Sequence, residues 1–335
     1  METIDERLEK LDRKPVTYFV KWWRASKAIL LTVVFVFDSH LGTASGAELP
    51  AHEPIMIGVY AGSTFPADIE TYTQSAGVPP RIVMWFQNWD EPLFYPKQME
   101  ALSRLRMEPM ITWSPNRKIL LPEINAGKYD ELICRAAKAA ADWKQPFFVR
   151  LMHEMNGTWQ GFGPGVNGNT SEDFIRAWRH IVDLFRAAGA ANVQWVWCPN
   201  VQGFGPSTAP FDPLYPGDAY VDVVGLDGYN FGPPHSPWRS AIEIFKASYD
   251  DLAQLTDRPI MICEWGCSEQ GGDKAAWIHQ SFLHDVPEQM PRIRALIVFS
   301  KKAEGDFRIQ SSPSALDAYR DMAASPIYGS HEQIP

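Results

Sequence analysis

The sequence predicts an α/β fold, a closed (β/α)8 barrel forming one catalytic domain over residues 52–328, and three observations carry that expectation. Short apolar, β-prone runs recur eight times after residue 50, helical patterns separate most of them, and the runs are continuously apolar rather than alternating. Continuous runs are what a parallel sheet shows when both of its faces are buried. In order, the runs are Ile55 to Tyr60, Arg81 to Phe86, Pro109 to Trp113, Phe147 to Met152, Val193 to Trp197, Val221 to Leu226, Ile260 to Cys263 and Ala295 to Phe299. Helical patterns occupy Pro96 to Arg106, Tyr129 to Trp143, Ser171 to Ala188, Ser236 to Leu255 and Lys274 to Leu283. Ser171, followed by Glu172 and Asp173, opens one helix with acids at the positive end of its dipole, and Gly189 closes it. Eight such units fit a barrel better than a doubly wound sheet.

The segments after the fourth, fifth and sixth runs are long and rich in Gly and Pro: 161–169, 201–217 and 231–237. All three follow strand ends, so they would gather on the C-terminal face of a barrel, where long loops usually shape a substrate cleft. No repeat or low-complexity tract interrupts the chain, and no linker to a second domain is visible.

Composition narrows the partners. The chain has 335 residues, a net charge of -9 and a hydrophobic share of 45%, ample for a large core. A negative surface offers phosphate backbones no general attraction, so nucleic acid is not expected as a partner. The 13 tryptophans fill cores or stack on flat, weakly polar ligands such as sugar rings. Cys134, Cys198, Cys263 and Cys267 are scattered without the paired spacing of a zinc site and read as buried free thiols.

Residues 1–47 read as an export segment, either a signal peptide or a signal anchor. Lys21, Arg24 and Lys27 precede an apolar run from Ala28 to Phe37, and Ser45-Gly46-Ala47 supplies small residues for cleavage after Ala47. The n-region is long and carries acids, so an uncleaved membrane anchor is the alternative. Either way the protein is expected to be exported, periplasmic or secreted, and to act as a monomer.

The residues that carry chemistry stand at strand ends. Phe147 to Met152 runs into His153-Glu154-Met155-Asn156-Gly157 and then Trp159, and Pro259 to Cys263 runs into Glu264-Trp265-Gly266. Strands four and seven of an eight-stranded barrel face each other across its mouth. Two carboxyl groups about 5 to 5.5 Å apart across a cleft define a retaining glycosidase, one protonating the leaving oxygen and the other attacking the anomeric carbon. Either glutamate alone would more often cap a loop or pair with an arginine; the paired placement favours catalysis. His-Glu also opens a zinc-protease motif, but that motif needs a second histidine at position 157, which is glycine. Trp159 would wall the cleft and His153 would bond a sugar hydroxyl or Glu154 itself. In Asp227-Gly228-Tyr229-Asn230, at the end of strand six, Tyr229 would steady the strand-seven carboxylate and Asp227 would orient sugar hydroxyls. Asn156 or Asp227 would meet the 2-hydroxyl. No metal or organic cofactor is required.

At these residues the chain resembles glycoside hydrolase family 26, best known for β-mannanases. The match includes Arg150 to Gly157 with Trp159, Trp178 to Val182, Asn192 to Asn200, Tyr215 to Asp218, Val224 to Asn230 and Pro259 to Glu264. The resemblance implies a TIM barrel with Glu154 as general acid/base, Glu264 as nucleophile and Tyr229 bonded to Glu264. His153, Trp159 and Asp227 would line the subsite holding the sugar being cleaved, while Trp178 and Arg179 look like packing or salt-bridge residues outside it. The family commonly places a tryptophan near the eighth strand. Here Val298-Phe299-Ser300-Lys301-Lys302 has none, so Phe299 is the candidate plate.

The expected function is therefore a retaining endo-β-1,4-mannanase acting on polysaccharide or oligosaccharide by double displacement. Two alternatives stay open. One is the same chemistry on another β-glycan, such as a mixed-linkage β-glucan, a β-1,3-xylan or a bacterial exopolysaccharide. The other is a glycan-binding or polysaccharide-assembly protein that kept the barrel and lost catalysis.

Overall fold

The eight apolar runs close into a parallel barrel in simple sequence order, β1-β2-β3-β4-β5-β6-β7-β8, with β8 paired back onto β1. The computed structural model describes residues 54–62, 64–203 and 208–329; the expected export segment, residues 1–47, lies outside them. The strands are β1 (Met56–Tyr60), β2 (Ile82–Asn88), β3 (Glu108–Ser114), β4 (Phe147–Leu151), β5 (Val193–Trp197), β6 (Val223–Asn230), β7 (Ile260–Cys267) and β8 (Ile293–Phe299). Outside them lie α1 (Ala67–Ala76), α2 (Pro96–Arg104), α3 (Asp130–Trp143), α4 (Ser171–Ala187), α5 (Ala247–Leu255), α6 (Lys274–His279) and α7 (Pro313–Ala324).

Most boundaries fall within a residue or two of the sequence expectation, and the exceptions have local causes. The helix α4 starts at Ser171 as expected, capped by Thr170, whose hydroxyl accepts from the Asp173 N–H at 3.1 Å while Asp173 accepts from the Thr170 N–H at 3.1 Å. This reciprocal pair satisfies two otherwise orphaned donors. The pattern expected to be helical from Ser236 stays non-helical through Ser240. Arg239 instead donates its backbone N–H to Asn230, and a Ser240–Glu243 capping pair starts the helix later. The helix then enters through a widened π turn, Ile242–Lys246. Between β5 and β6 the described residues of the crossover form the short 3-10 turns Asp212–Leu214 and Asp218–Tyr220.

Helices α1 and α7 were not expected from the sequence, nor were the short helical turns Leu121–Asn125 and Val286–Gln289. Helices α1 and α7 bury small or mixed faces, Ile69, Tyr72 and Ala76 on α1 and Ala315, Ala318, Tyr319 and Met322 on α7, so their apolar stripes are weak. They meet at the buried Tyr72 and Tyr319 hydroxyls, 2.6 Å apart.

The strand that matters most for the site is longer than its apolar run. Expected to stop at Leu226 and Cys263, β6 and β7 continue to Asn230 and Cys267, with Asp227 registered against Glu264 and Tyr229 against Gly266. A register shift at Leu226/Asp227 marks the change. Asp227, Tyr229 and Glu264 therefore sit on paired strands, which hold a side chain more closely than a loop does.

The barrel is filled, not hollow. Ile82, Met84, Met110, Phe148, Val196, Met261 and Ile297 form an interior plug, separate from the larger apolar layer between strands and helices. Phe148 is the one phenylalanine in that plug and is 2% exposed. Phe148→Ala would leave a void among side chains from several strands and should cost about 3–5 kcal/mol of stability. Urea unfolding checks this; a loss below about 1 kcal/mol would mean the plug is not packed as described.

Candidate active site

The strand-four turn is built to aim one carboxylate. β4 ends at Leu151, and both Met152 (φ 43) and Glu154 (φ 52) adopt the left-handed conformation that side chains other than glycine seldom take. The turn is held by Met152 N–H on Trp113 O at 3.0 Å and Glu154 N–H on Cys198 O at 2.7 Å. Gly157 then admits the Trp159 indole, since a Cβ there would lie 2.4 Å from that ring. The indole returns over the turn and donates Nε1–H to Glu154 Oε2 at 2.6 Å. Glu154 Oε1 accepts from Asn200 Nδ2 at 2.6 Å.

Glu264, on β7, is bonded differently. It is 5% exposed and accepts from Arg150 Nη2 on one oxygen and from the Tyr229 hydroxyl on the other. Arg150 is fully buried on β4. Its Nη1 bonds both Asp227 oxygens, at 2.8 and 2.7 Å, and its Nε donates to Thr112 Oγ1 at 2.9 Å. Burial alone would weaken its charge, but the Asp227 and Glu264 carboxylates outweigh that and push the guanidinium well above its ordinary value.

The environment sets the charges of the neighbours. Burial first, and the Glu264 charge second, raise the Glu154 carboxyl above its ordinary value, against the bonds from Trp159 and Asn200. Burial and the Arg150 charge hold His153 well below its ordinary value, so its ring is neutral near pH 7. Burial and Glu264 push the Tyr229 phenol well up, which keeps its proton for donation.

Aromatic rings rim this centre. Tyr60 lies 4.9 Å from Phe299 and 5.0 Å from Phe86; Phe86 packs edge-on to His153 at 5.5 Å. Phe299 also meets Tyr229 at 5.9 Å, beside the phenol that bonds Glu264. Phe86 is 38% exposed, open to solvent at this rim.

Of the residues expected in the site, Glu154, Glu264, His153, Trp159, Tyr229 and Phe299 are brought together. Two expectations need correction. Asn156 is 2% exposed, and its amide is spent on Asn200, giving Nδ2–H to Asn200 O and accepting the Asn200 N–H, both at 2.8 Å. It orders Asn200 rather than meeting a sugar. Asp227 has no exposed surface and lies beneath Arg150, also accepting from Cys198 Sγ at 3.2 Å, so it orients the arginine, not a hydroxyl. Trp178 and Arg179 are outside the site, donating to Tyr220 O and Pro216 O. All four cysteines are free, but Cys134, expected buried, is exposed on α3. The sequence reading missed Arg150, Asn200, Tyr60 and Phe86. A lone charge inside an apolar strand was the available signal for Arg150.

Fold and site together define a (β/α)8 barrel with paired carboxylates at its C-terminal mouth. Residues 85–278 match the model of glycosyl hydrolase family 26, and the chain belongs to that family. It is 36% identical over 275 residues to Endoglucanase H of Acetivibrio thermocellus, covering 80% of this chain and 30% of that protein. It is 26% identical over 192 residues to a mannan endo-1,4-beta-mannosidase of Bifidobacterium adolescentis, covering 53% of this chain and 19% of that one. The chain thus spans less than a third of either relative's length. The catalytic domain of the Bacillus sp. JAMB-750 GH26 endo-beta-1,4-mannanase shares the fold, with a TM-score of 0.64 at 17% identity over 82% of this chain and 87% of that one.

Two measurements test the site as built. Glu154 should titrate above 4.5 by carbon NMR, and Trp159→Phe should move it higher still, because the indole bond favours the ionised form; a downward move contradicts this arrangement. Arg150→Met leaves Asp227 and Glu264 buried without their cation and should cost about 3–5 kcal/mol in denaturant unfolding. An unchanged stability would show that the ion pair is not buried as described.

Proposed function

We propose that this chain is a retaining endo-β-glycosidase working by double displacement. The observation that carries the reading is the unlike bonding of two glutamates at one barrel mouth. Glu264 receives a cation and a phenol, as an anion poised to attack would, while Glu154 is pushed toward its protonated form. In the first step Glu264 attacks the anomeric carbon as Glu154 gives its proton to the departing glycosidic oxygen. In the second, Glu154, now ionised, takes a proton from water, and the resulting oxygen nucleophile displaces Glu264 with a second inversion. Tyr229 stays near the carboxylate through both steps. Neutral His153, with Nδ1 lacking a protein partner, and the rings of Trp159, Phe86 and Phe299 supply polar and stacking contacts for sugars.

For the glycan, a β-glucan is the first reading, because the relative called an endoglucanase matches at higher identity and over more of this chain than the mannosidase does. A β-1,4-mannan is the second, supported by the mannosidase relative and by the family resemblance of the site motifs. Export belongs to the same proposal, since polymeric glycans lie outside the cell and Lys21, Arg24 and Lys27 precede an apolar run.

Glu264→Ala should lower turnover on the order of 10⁴-fold or more. On an activated aryl glycoside, azide should rescue Glu154→Ala and yield the glycosyl azide of retained configuration. An inverted azide from that variant, or full activity in both variants, would sink the mechanism. Reducing-sugar release from a panel of β-glucans and mannans separates the two glycans, and release from none of them would point to a binding protein.

A further inference from the structure

Between the ends of β1 and β8 lies a cavity of about 370 Å³, lined in part by Asp68, Ser300, Lys301, Lys302, Arg308 and Gln310. Its size falls within the roughly 300–1,000 Å³ of small-ligand sites. The cations there outnumber the carboxylate, in a chain whose net charge is -9. They are also incompletely neutralised. Lys301 Nζ stands 4.0 Å from Asp68 Oδ2, the outer limit of an ion pair, and that oxygen also accepts from the Thr64 N–H at 3.0 Å. Arg308 spends Nε and Nη2 on Asp306, at 2.8 and 2.5 Å, and its Nη1 has no hydrogen-bond partner among the described residues. Lys302 is exposed and has no ion-pair partner among the described residues. Beside them Gln310 Oε1 is buried with no hydrogen-bond partner. A ligand that brings a carboxylate to the cations and a hydroxyl to Gln310 would satisfy the whole set.

The wall is held in place before any ligand arrives. Lys274 is 1% exposed, and its ammonium bonds Asp306 O at 3.2 Å, Arg308 O at 2.8 Å and Ser311 Oγ at 2.8 Å, all neutral acceptors on one loop. That loop is fixed again where the Ile309 N–H meets Ser300 Oγ at 3.2 Å. A preformed wall lowers the ordering cost of binding.

Two residues of the cavity wall lie next in the chain to the aromatic rim of the carboxylate cleft. Ser300 and Ala61 each follow an aromatic residue of the rim, Phe299 and Tyr60, and the Ser300 N–H bonds Tyr60 O at 2.9 Å. The Tyr60 phenol is pushed up by burial, then by the charges of both Glu264 and Asp68, so one ring lies within electrostatic reach of both places.

We propose that this cavity is a subsite for a carboxylate-bearing sugar unit, a uronic acid, carried by the β-glycan substrate. The proposal rests on the glycosidase reading for what is cleaved beside it, and makes an acidic glycan the preferred substrate. Binding and hydrolysis separate the two claims. Calorimetry on Glu154→Gln, which retains an amide in place of the carboxyl, measures affinity without turnover for β-1,4-gluco- and manno-oligosaccharides, neutral and oxidised at C6 to the uronates. Carboxylated ligands should bind about tenfold more tightly, the expected worth of one charge-assisted bond. The preference should shrink with added salt and vanish when Lys301→Gln and Lys302→Gln are combined. Both lysines lie at the surface, and a thermal melt confirms that the combined variant folds. Equal affinity for the two ligand classes, no detectable binding of the carboxylated ones, or a preference that survives the combined variant overturns the subsite. Wild-type hydrolysis is the independent reading. A protein that prefers uronates but cleaves no glycan keeps the subsite and loses the glycosidase assignment, and one that cleaves neutral glycans without preference does the reverse.

Discussion

Arg150 is the constraint around which the mouth of the barrel is arranged. One buried guanidinium joins Thr112 on β3, Asp227 on β6 and Glu264 on β7 while itself belonging to β4. Taking such charges out of water costs nearly what their attraction returns, so the cluster adds little net stability over an apolar filling. What it adds is direction. Each carboxylate has one arrangement that satisfies the fork, and the strands that carry them are fixed relative to one another accordingly. The arginine sits above the apolar plug around Phe148, two residues earlier on the same strand, where the barrel changes from packed interior to functional mouth.

The same cluster explains how two glutamates of identical chemistry come to differ. Glu264 is bound by a permanent cation, while Glu154 receives only neutral donors, from Asn200 and Trp159, and feels the Glu264 charge across the cleft. The turn matters as much as the partners. Left-handed backbone at Met152 and Glu154 stores strain that two backbone bonds, to Trp113 and Cys198, hold in place. Asn156 and Asp227 act one layer further out, by ordering Asn200 and Arg150.

The barrel itself was legible because its physics is local. Continuous apolar runs report double-sided burial, and eight of them with intervening helical stripes leave few architectures. Helices α1 and α7 were missed because their buried faces rest on alanine and tyrosine, whose stripe is faint in sequence. Their partnership through Tyr72 and Tyr319 joins residues 247 positions apart. Strands β6 and β7 were cut short for a related reason: Asp227 and Glu264 look like the ends of apolar runs, yet their charges are accommodated inside the sheet by Arg150.

By itself the sequence determined the residue types and their places along the chain: a glutamate after the fourth and seventh apolar runs, a tyrosine after the sixth, and a glycine at position 157. These follow from periodicity and from what a strand end can carry, which depend on neighbours in sequence. Only the tertiary structure decided which groups the carboxylates face, that Asn156 and Asp227 are turned inward, and that Lys301, Lys302 and Arg308 border one cavity with Gln310. Those assignments depend on burial and on charge at a few ångströms, both set by strand register and closure. Linear spacing does not encode them.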